Sequence, residues 1–260
     1  MQNQLKVALI QANLVWENPN ENRRLLNNKV DAIKDGVDII ILPEMFTSGF
    51  TINASEVAET MDGETISWLK TKTKEKNAVI IGSLVISEDN NYYNRLVCVE
   101  PSGQITHYDK RHTFTLAGEH KVYTAGNEKV IINYKGWEIC PLICYDLRFP
   151  VWARNVESYD LLLYVANWPK VRVNAWDALL KARAIENMAY CIGVNRVGLD
   201  GNNHEYSGHS AAYDVLGHRI DSTPENKEAT EIVVLEKDHI KKYREKLNFL
   251  SDRDDFNLVE

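Results

Sequence analysis

Three residues in this 260-residue chain could together carry out thiol-based acyl chemistry: Glu44, Lys110 and Cys144. Each stands where an apolar run stops. Cys144 closes Glu138-Ile-Cys-Pro-Leu-Ile-Cys144 and is followed at once by Tyr145-Asp-Leu-Arg-Phe-Pro150, so a strand there ends by presenting a thiol at the rim of a sheet. A free thiol ionises near pH ~8.5 and only the thiolate attacks well, so a base or a cation is needed beside it. Most buried cysteines are structural. Cys98, Cys140 and Cys191 sit inside their apolar runs, whereas Cys144 ends its own.

Glu44 follows the run Val37 to Leu42, within Leu42-Pro-Glu-Met-Phe-Thr-Ser-Gly-Phe50. A carboxylate pinned there, with Met45, Phe46 and Phe50 around it, is expected to be partly desolvated, a setting that suits a general base. Lys110 ends His107-Tyr-Asp-Lys110, and its ammonium suits a developing oxyanion. Arg111 and His112 need only support that loop. Loop Glu and Lys residues are ordinarily solvated, so each signal is weak alone. All three at strand ends point to a thiol hydrolase that uses no histidine, with the backbone N–H of Tyr145 as a second oxyanion donor.

The elements that must position these groups can be read from the hydrophobic pattern. Leu5 to Ala12 reads as a first buried strand. Asn20 is expected to cap a helix carrying Leu25, Leu26, Val30 and Ile33 at helical spacing, closed by Gly36. Val37 to Leu42 is apolar enough for a strand buried on both faces. A helix over 65–76 and a strand over 78–86 follow. Pro101-Ser-Gly103 joins strands 92–100 and 104–109 as a hairpin, and Lys135-Gly136 joins 130–134 to 137–143. A strand over 160–166, a helix capped by Asn174 and running to about 190, and a strand over 191–197 come next. Late strands over 206–213 and 232–235 are expected around the turn at Leu216-Gly217, then a helix over 238–247. This alternation with several hairpins predicts an α/β fold with mixed sheets.

At 44% hydrophobic residues and with no Pro/Gly/Ser-rich linker, residues 1–260 are expected to form one domain. The net charge of −7 and the lack of a Lys/Arg block argue against a nucleic-acid or membrane-surface partner. Four scattered cysteines fit a reduced cytoplasmic chain. Cys140 and Cys144 in one strand lie about 13 Å apart at about 3.3 Å per residue, too far for a disulfide. No signal peptide or membrane span is expected. His204, His209 and His218 fit no metal-ligand spacing and read as solvated loop residues. No phosphate-binding glycine pattern is present, so no cofactor and no metal are expected.

Leu-Pro-Glu44-Met-Phe, Asp-Lys110-Arg-His and Ile-Cys144-Tyr-Asp-Leu-Arg-Phe-Pro resemble the Glu/Lys/Cys signatures of the nitrilase (carbon–nitrogen hydrolase) superfamily. The similarity continues through Ala117-Gly-Glu-His120, Ala166-Asn-Trp-Pro169, Lys181-Ala-Arg-Ala-Ile-Glu-Asn187, Gly193-Val-Asn-Arg-Val-Gly198 and Ser207-Gly-His-Ser210. Met45 to Phe50 and Asn-Trp-Pro169 look like the ω-amidase branch. That branch hydrolyses monoamides of short dicarboxylic acids such as 2-oxoglutaramate. The resemblance implies a four-layer α-β-β-α sandwich with two mixed sheets, assembled as a homodimer or larger homo-oligomer. It also marks Glu119 as a second acidic residue beside the lysine.

The chemistry then expected is attack of the Cys144 sulfur on the amide carbon, with Glu44 moving the proton and a thioester as intermediate. On this reading Lys110→Ala folds but barely turns over. A dicarboxylate monoamide has a far carboxylate, which the planar fork of an Arg matches; Arg148 and Arg172 are the candidates. Each is equally suited to an internal ion pair. Phe50, Tyr145 and Trp168 are expected to shape a small apolar pocket. Arg183 and Glu186, three apart on a helix, read as a structural ion pair. Alternatives are hydrolysis of N-carbamoyl amines, aliphatic amides or nitriles by the same three residues, or a binding protein that keeps the scaffold without turnover.

Overall fold

The computed structural model describes residues 2–34 and 36–258. The strands are β1 (Gln4–Gln11), β2 (Ile39–Ile41), β3 (Val79–Glu88), β4 (Asn91–Val99), β5 (Ile105–Asp109), β6 (Ile132–Tyr134) and β7 (Trp137–Ile143). They continue as β8 (Leu161–Ala166), β9 (Tyr190–Asn195), β10 (Val197–Leu199), β11 (Glu205–Ser207), β12 (Ala211–Tyr213) and β13 (Ala229–Glu236). The α-helices are α1 (Pro19–Ala32), α2 (Ala54–Val57), α3 (Glu64–Lys76), α4 (Pro150–Ala153), α5 (Val173–Asn187) and α6 (Lys237–Leu247).

Two mixed sheets stack face to face. One has the order β13-β1-β2-β3-β4-β5 and the other β12-β9-β8-β7-β6. In each, three central strands are parallel (β1-β2-β3 and β7-β8-β9) and the flanking strands are antiparallel. Strand alternation decides the layers. Leu5, Val7 and Leu9 of β1 join the core shared with the second sheet, while Ala8 and Ile10 face the outer cluster with Leu26, Val30, Ile66 and Leu69 of α1 and α3. On the far side α5 packs against β9. Gly193 permits that approach, since a Cβ there would lie 2.6 Å from both Leu180 and Trp176. The result is an α-β-β-α sandwich, as expected. Among the described residues no helix is long and apolar enough to cross a membrane.

Several local readings need correction. The first helix is capped by Asn18, whose side chain accepts from the Glu21 N–H, and Asn20 lies inside the first turn. Pro19 has no N–H to offer, so it fits the first helical position and the cap must precede it. The helix ends at Ala32, before Gly36. Asn174 likewise lies inside α5, which begins at Val173 and stops where Met188 turns left-handed at φ 47°. The strand expected over 206–213 is two strands in different sheets, split by Gly208 and His209 at φ 78° and 59°. The last strand pairs with β1 in the first sheet instead of joining its chain neighbour.

Candidate active site

The carboxyl ends of parallel strands are where open sheets leave a crevice for ligands. β2 ends at Ile41 and leads into Glu44; β7 ends at Ile143 and hands over to Cys144; β8 ends at Ala166 and is followed by Asn167. β5 delivers Lys110 directly after Asp109. Cys144 itself is no longer strand. It adopts φ 44° as the first residue of a short 3-10 turn, Cys144–Arg148. Left-handed backbone at a non-glycine residue costs energy and must be held by its surroundings. Met45, next to Glu44, is also left-handed at φ 41°. As an early residue of its turn, Tyr145 has an N–H of the kind that helix starts leave without an internal partner.

Glu44, Lys110 and Glu119 form one sealed cluster, with relative exposures of 0%, 1% and 0%. The Lys110 ammonium lies 2.9 Å from Glu44 Oε1 and 3.0 Å from Glu119 Oε2. Asn94 Nδ2 donates to both carboxylates, at 2.8 Å to Glu44 and 3.2 Å to Glu119. The Asn167 backbone N–H donates to Glu44 Oε2 at 2.7 Å, and Asn167 Nδ2 donates to the Glu44 carbonyl at 2.6 Å. The Phe114 N–H donates to Glu119.

Charge coupling follows from this burial. Desolvation alone would lower the pKa of Lys110, but the Glu119 and Glu44 carboxylates hold its proton well above the usual lysine range. Burial raises Glu119 above the usual carboxylate value, with Lys110 opposing and Glu44 adding to the rise. Burial and the Glu44 carboxylate push the Cys144 thiol well up, against the pull of Lys110. At rest the sulfur therefore keeps its proton with a carboxylate beside it.

Lys110 and Cys144 line a cavity of about 380 Å³, together with Phe50, Tyr145, Arg148, Asn167, Trp168 and Arg172. The cavity thus gathers Phe50, Tyr145, Trp168, Arg148 and Arg172, the five residues expected to shape the pocket or meet the substrate. Phe50, Phe114, Tyr145 and Phe149 form a chain of ring contacts along it, with centroids 6.5, 4.9 and 5.1 Å apart. Arg148 lies 4.8 Å over Trp168 and Arg172 lies 5.3 Å over Phe114. Among the described residues neither guanidinium has a carboxylate partner, so the internal ion pair weighed from sequence is not formed. Arg183 does pair with Glu186, at 2.8 Å, and also donates to the Leu147 carbonyl at 2.6 Å, bracing the turn below Cys144.

Sequence reasoning missed several residues of the site. Asn94 is a polar amide in mid-strand, where asparagine is depleted, and that was its signal. Asn167 follows a strand end by the same logic that singled out Glu44. Asp146 is wholly buried and accepts from Ile143 N at 3.0 Å, Tyr108 Oη at 2.8 Å and His112 N at 3.0 Å. It ties the Lys110 loop to the Cys144 turn, and His112 supports that loop as expected. His204, exposed in its loop as read from sequence, also lines the cavity, together with Asp200. Among the described residues no cluster of three His, Cys, Asp or Glu side chains is placed to hold a metal ion.

The carbon–nitrogen hydrolase family pattern matches residues 6–245. The chain is 46% identical over 255 residues to the omega-amidase YafV of Escherichia coli K12, covering 98% of both proteins. It is 33% identical over 217 residues to the 2-oxoglutaramate amidase of Bacillus subtilis, covering 81% of this chain and 83% of that one. The crystal structure of XC1258 from Xanthomonas campestris, a CN-hydrolase superfamily protein with an arsenic adduct in its active site, superposes with a TM-score of 0.97. The two are 39% identical, and the match covers 99% of this chain and all of that one.

Proposed function

The chain belongs to the carbon–nitrogen hydrolase family and is an amidase, and on that premise we propose that it hydrolyses the terminal amide of short dicarboxylic acid monoamides, of the 2-oxoglutaramate type. The supporting observation is the pair Arg148 and Arg172. Two guanidinium groups without carboxylate partners among the described residues line the same small cavity as Cys144 and Lys110, in a chain of net charge −7. Each is seated on an aromatic face, which orients a planar fork while leaving its N–H edge to bind an anion. The B. subtilis relative carries the name of this activity.

In the proposed reaction, Glu44 takes the Cys144 proton as sulfur bonds to the amide carbon. The Lys110 ammonium and the Tyr145 N–H hold the resulting oxyanion. Glu44 passes the proton to the departing nitrogen, so ammonia leaves and a thioester remains on Cys144. Glu44 then takes a proton from water as the hydroxyl adds to the thioester carbon. Collapse releases the acid and returns the proton to sulfur. Glu119 keeps Lys110 in place and charged throughout.

An ammonia-release panel tests this reading with 2-oxoglutaramate, glutamine, N-carbamoylputrescine, a neutral aliphatic amide and a simple nitrile. The monoamide should be preferred, and Arg148→Met or Arg172→Met should weaken its binding while sparing the neutral amide. Equal turnover of neutral and anionic amides would refute the substrate assignment. Appreciable turnover by Cys144→Ala would refute the mechanism.

A further inference from the structure

The hairpin β10–β11 stands apart from both large sheets and forms one wall of the cavity through Asp200, Asn202, His204 and Tyr206. It is anchored at its base. Arg196, fully buried, donates to the carbonyls of Leu14, Val197 and Leu199 and lies 4.8 Å over the Tyr206 ring. At its turn, Gly201 lets the backbone press on Trp16, whose ring atoms would lie 2.4 Å from a Cβ there. Asp200 is then pinned by the Tyr206 hydroxyl at 2.9 Å and by the N–H groups of Asn202 and His204 at 2.8 and 2.9 Å. The one remaining contact of that carboxylate is to His204 Nδ1, at 3.1 Å.

We propose that His204 is a specificity-determining residue of this site: its imidazole, oriented by Asp200, recognises the far carboxylate of the amide substrate in the cavity that Arg148 and Arg172 also line. The proposal rests on the dicarboxylate monoamide reading above. An exposed loop histidine is usually of no consequence, but here a buried carboxylate fixes one ring nitrogen and the residue lines the cavity wall. The other charged groups facing the hairpin are already occupied: Lys170, on the turn before α5, pairs with Glu205 at 2.7 Å, and Lys110 is held by its two carboxylates.

The test follows KM between pH ~6 and ~8, where imidazoles in general gain charge, with two substrates, the anionic 2-oxoglutaramate and a neutral short-chain amide, in wild type, His204→Gln and His204→Arg. Wild type should bind the anionic amide about threefold more tightly at the acid end, the size expected of a partly exposed charge pair. The change should appear in KM and not in kcat, and be absent with the neutral amide. His204→Gln should hold KM high and flat; His204→Arg should hold it low and flat. A flat wild-type KM, or a slope that survives in His204→Gln, would overturn the proposal. Wild-type indifference between the two amides would instead remove the substrate reading, and His204's role with it.

Discussion

The Lys110 ammonium lies 2.9 Å from the Glu44 carboxylate, and both side chains are sealed from solvent. With Glu119 on the same ammonium, one cation serves two buried carboxylates. That geometry gives Lys110 a structural duty beside the chemical one proposed for it.

Removing one partner of a buried ion pair typically costs about 3–5 kcal/mol. Lys110→Ala should therefore lose stability as well as turnover, beyond the loss of turnover expected from sequence. Urea denaturation measures the loss. Adding Glu119→Gln removes one stranded carboxylate, so the double variant should be more stable than the sum of the two single losses predicts. Strict additivity would show that the cluster is not coupled.

The pH profile follows from the resting charges. The competent form carries a protonated Cys144 and a protonated Lys110, both held well above their usual values. Raising the pH to about 9 removes neither proton, so kcat should stay flat from neutrality to there. On the acid side, Glu119 is raised above the usual carboxylate value, so protonating it should bring activity down above pH 4.5. An alkaline fall centred near pH ~8.5, the value of a free thiol, would contradict this charge assignment.

Thiol labelling separates Cys144 from the other cysteines. Cys98, Cys140 and Cys191 are buried, while Cys144 lines the cavity. Iodoacetamide should modify one thiol in the native protein and four after denaturation. Glu44→Gln should slow the native reaction, because the sulfur's neighbouring base is gone. Mass mapping that found a different cysteine labelled first would be decisive against the site.

Asp146 joins two loops that must be held in register. Asp146→Ala frees buried donors from Tyr108, Ile143 and His112, each costing about 1–3 kcal/mol when left unmet. The prediction is a less stable protein whose kcat falls while the far-carboxylate contacts, and hence KM, change little. A variant that changed KM alone would assign Asp146 to substrate binding.

Alkaline stability should reflect the buried thiols. Burial pushes Cys140 from the ordinary 9.0 up to about 12, and raises Cys98 and Cys191 as well. The unfolded chain then loses these protons first, so stability is full below pH 9 and falls as pH rises toward 12. Each such thiol removes roughly 1 kcal/mol per pH unit in that window. Denaturation midpoints between pH 9 and 10, before buried tyrosines contribute, should fall less steeply in Cys140→Ala.

Much of this molecule could be read from the chain. Strand alternation, turn glycines and run ends located nearly every strand, and the three candidate catalytic residues stood out because each interrupted an apolar run. Caps were misplaced where a proline or a left-handed residue overruled the local pattern, as at Pro19 and Met188. Splitting of the 206–213 strand was hidden because Gly208 and His209 change sheets through backbone angles that no hydrophobic period records.

Side-chain types, their order and the places where strands stop are properties of the one-dimensional chain, so the chemistry proposed for a Glu, a Lys and a Cys could be read there. Partnership is not. Whether Arg148 and Arg172 meet a carboxylate, whether Asn94 reaches two acids, and whether His204 borders the cavity depend on contacts between segments far apart in sequence. Those contacts exist only once two sheets have packed and water has been expelled, because burial is what turns neighbouring charges into coupled ones.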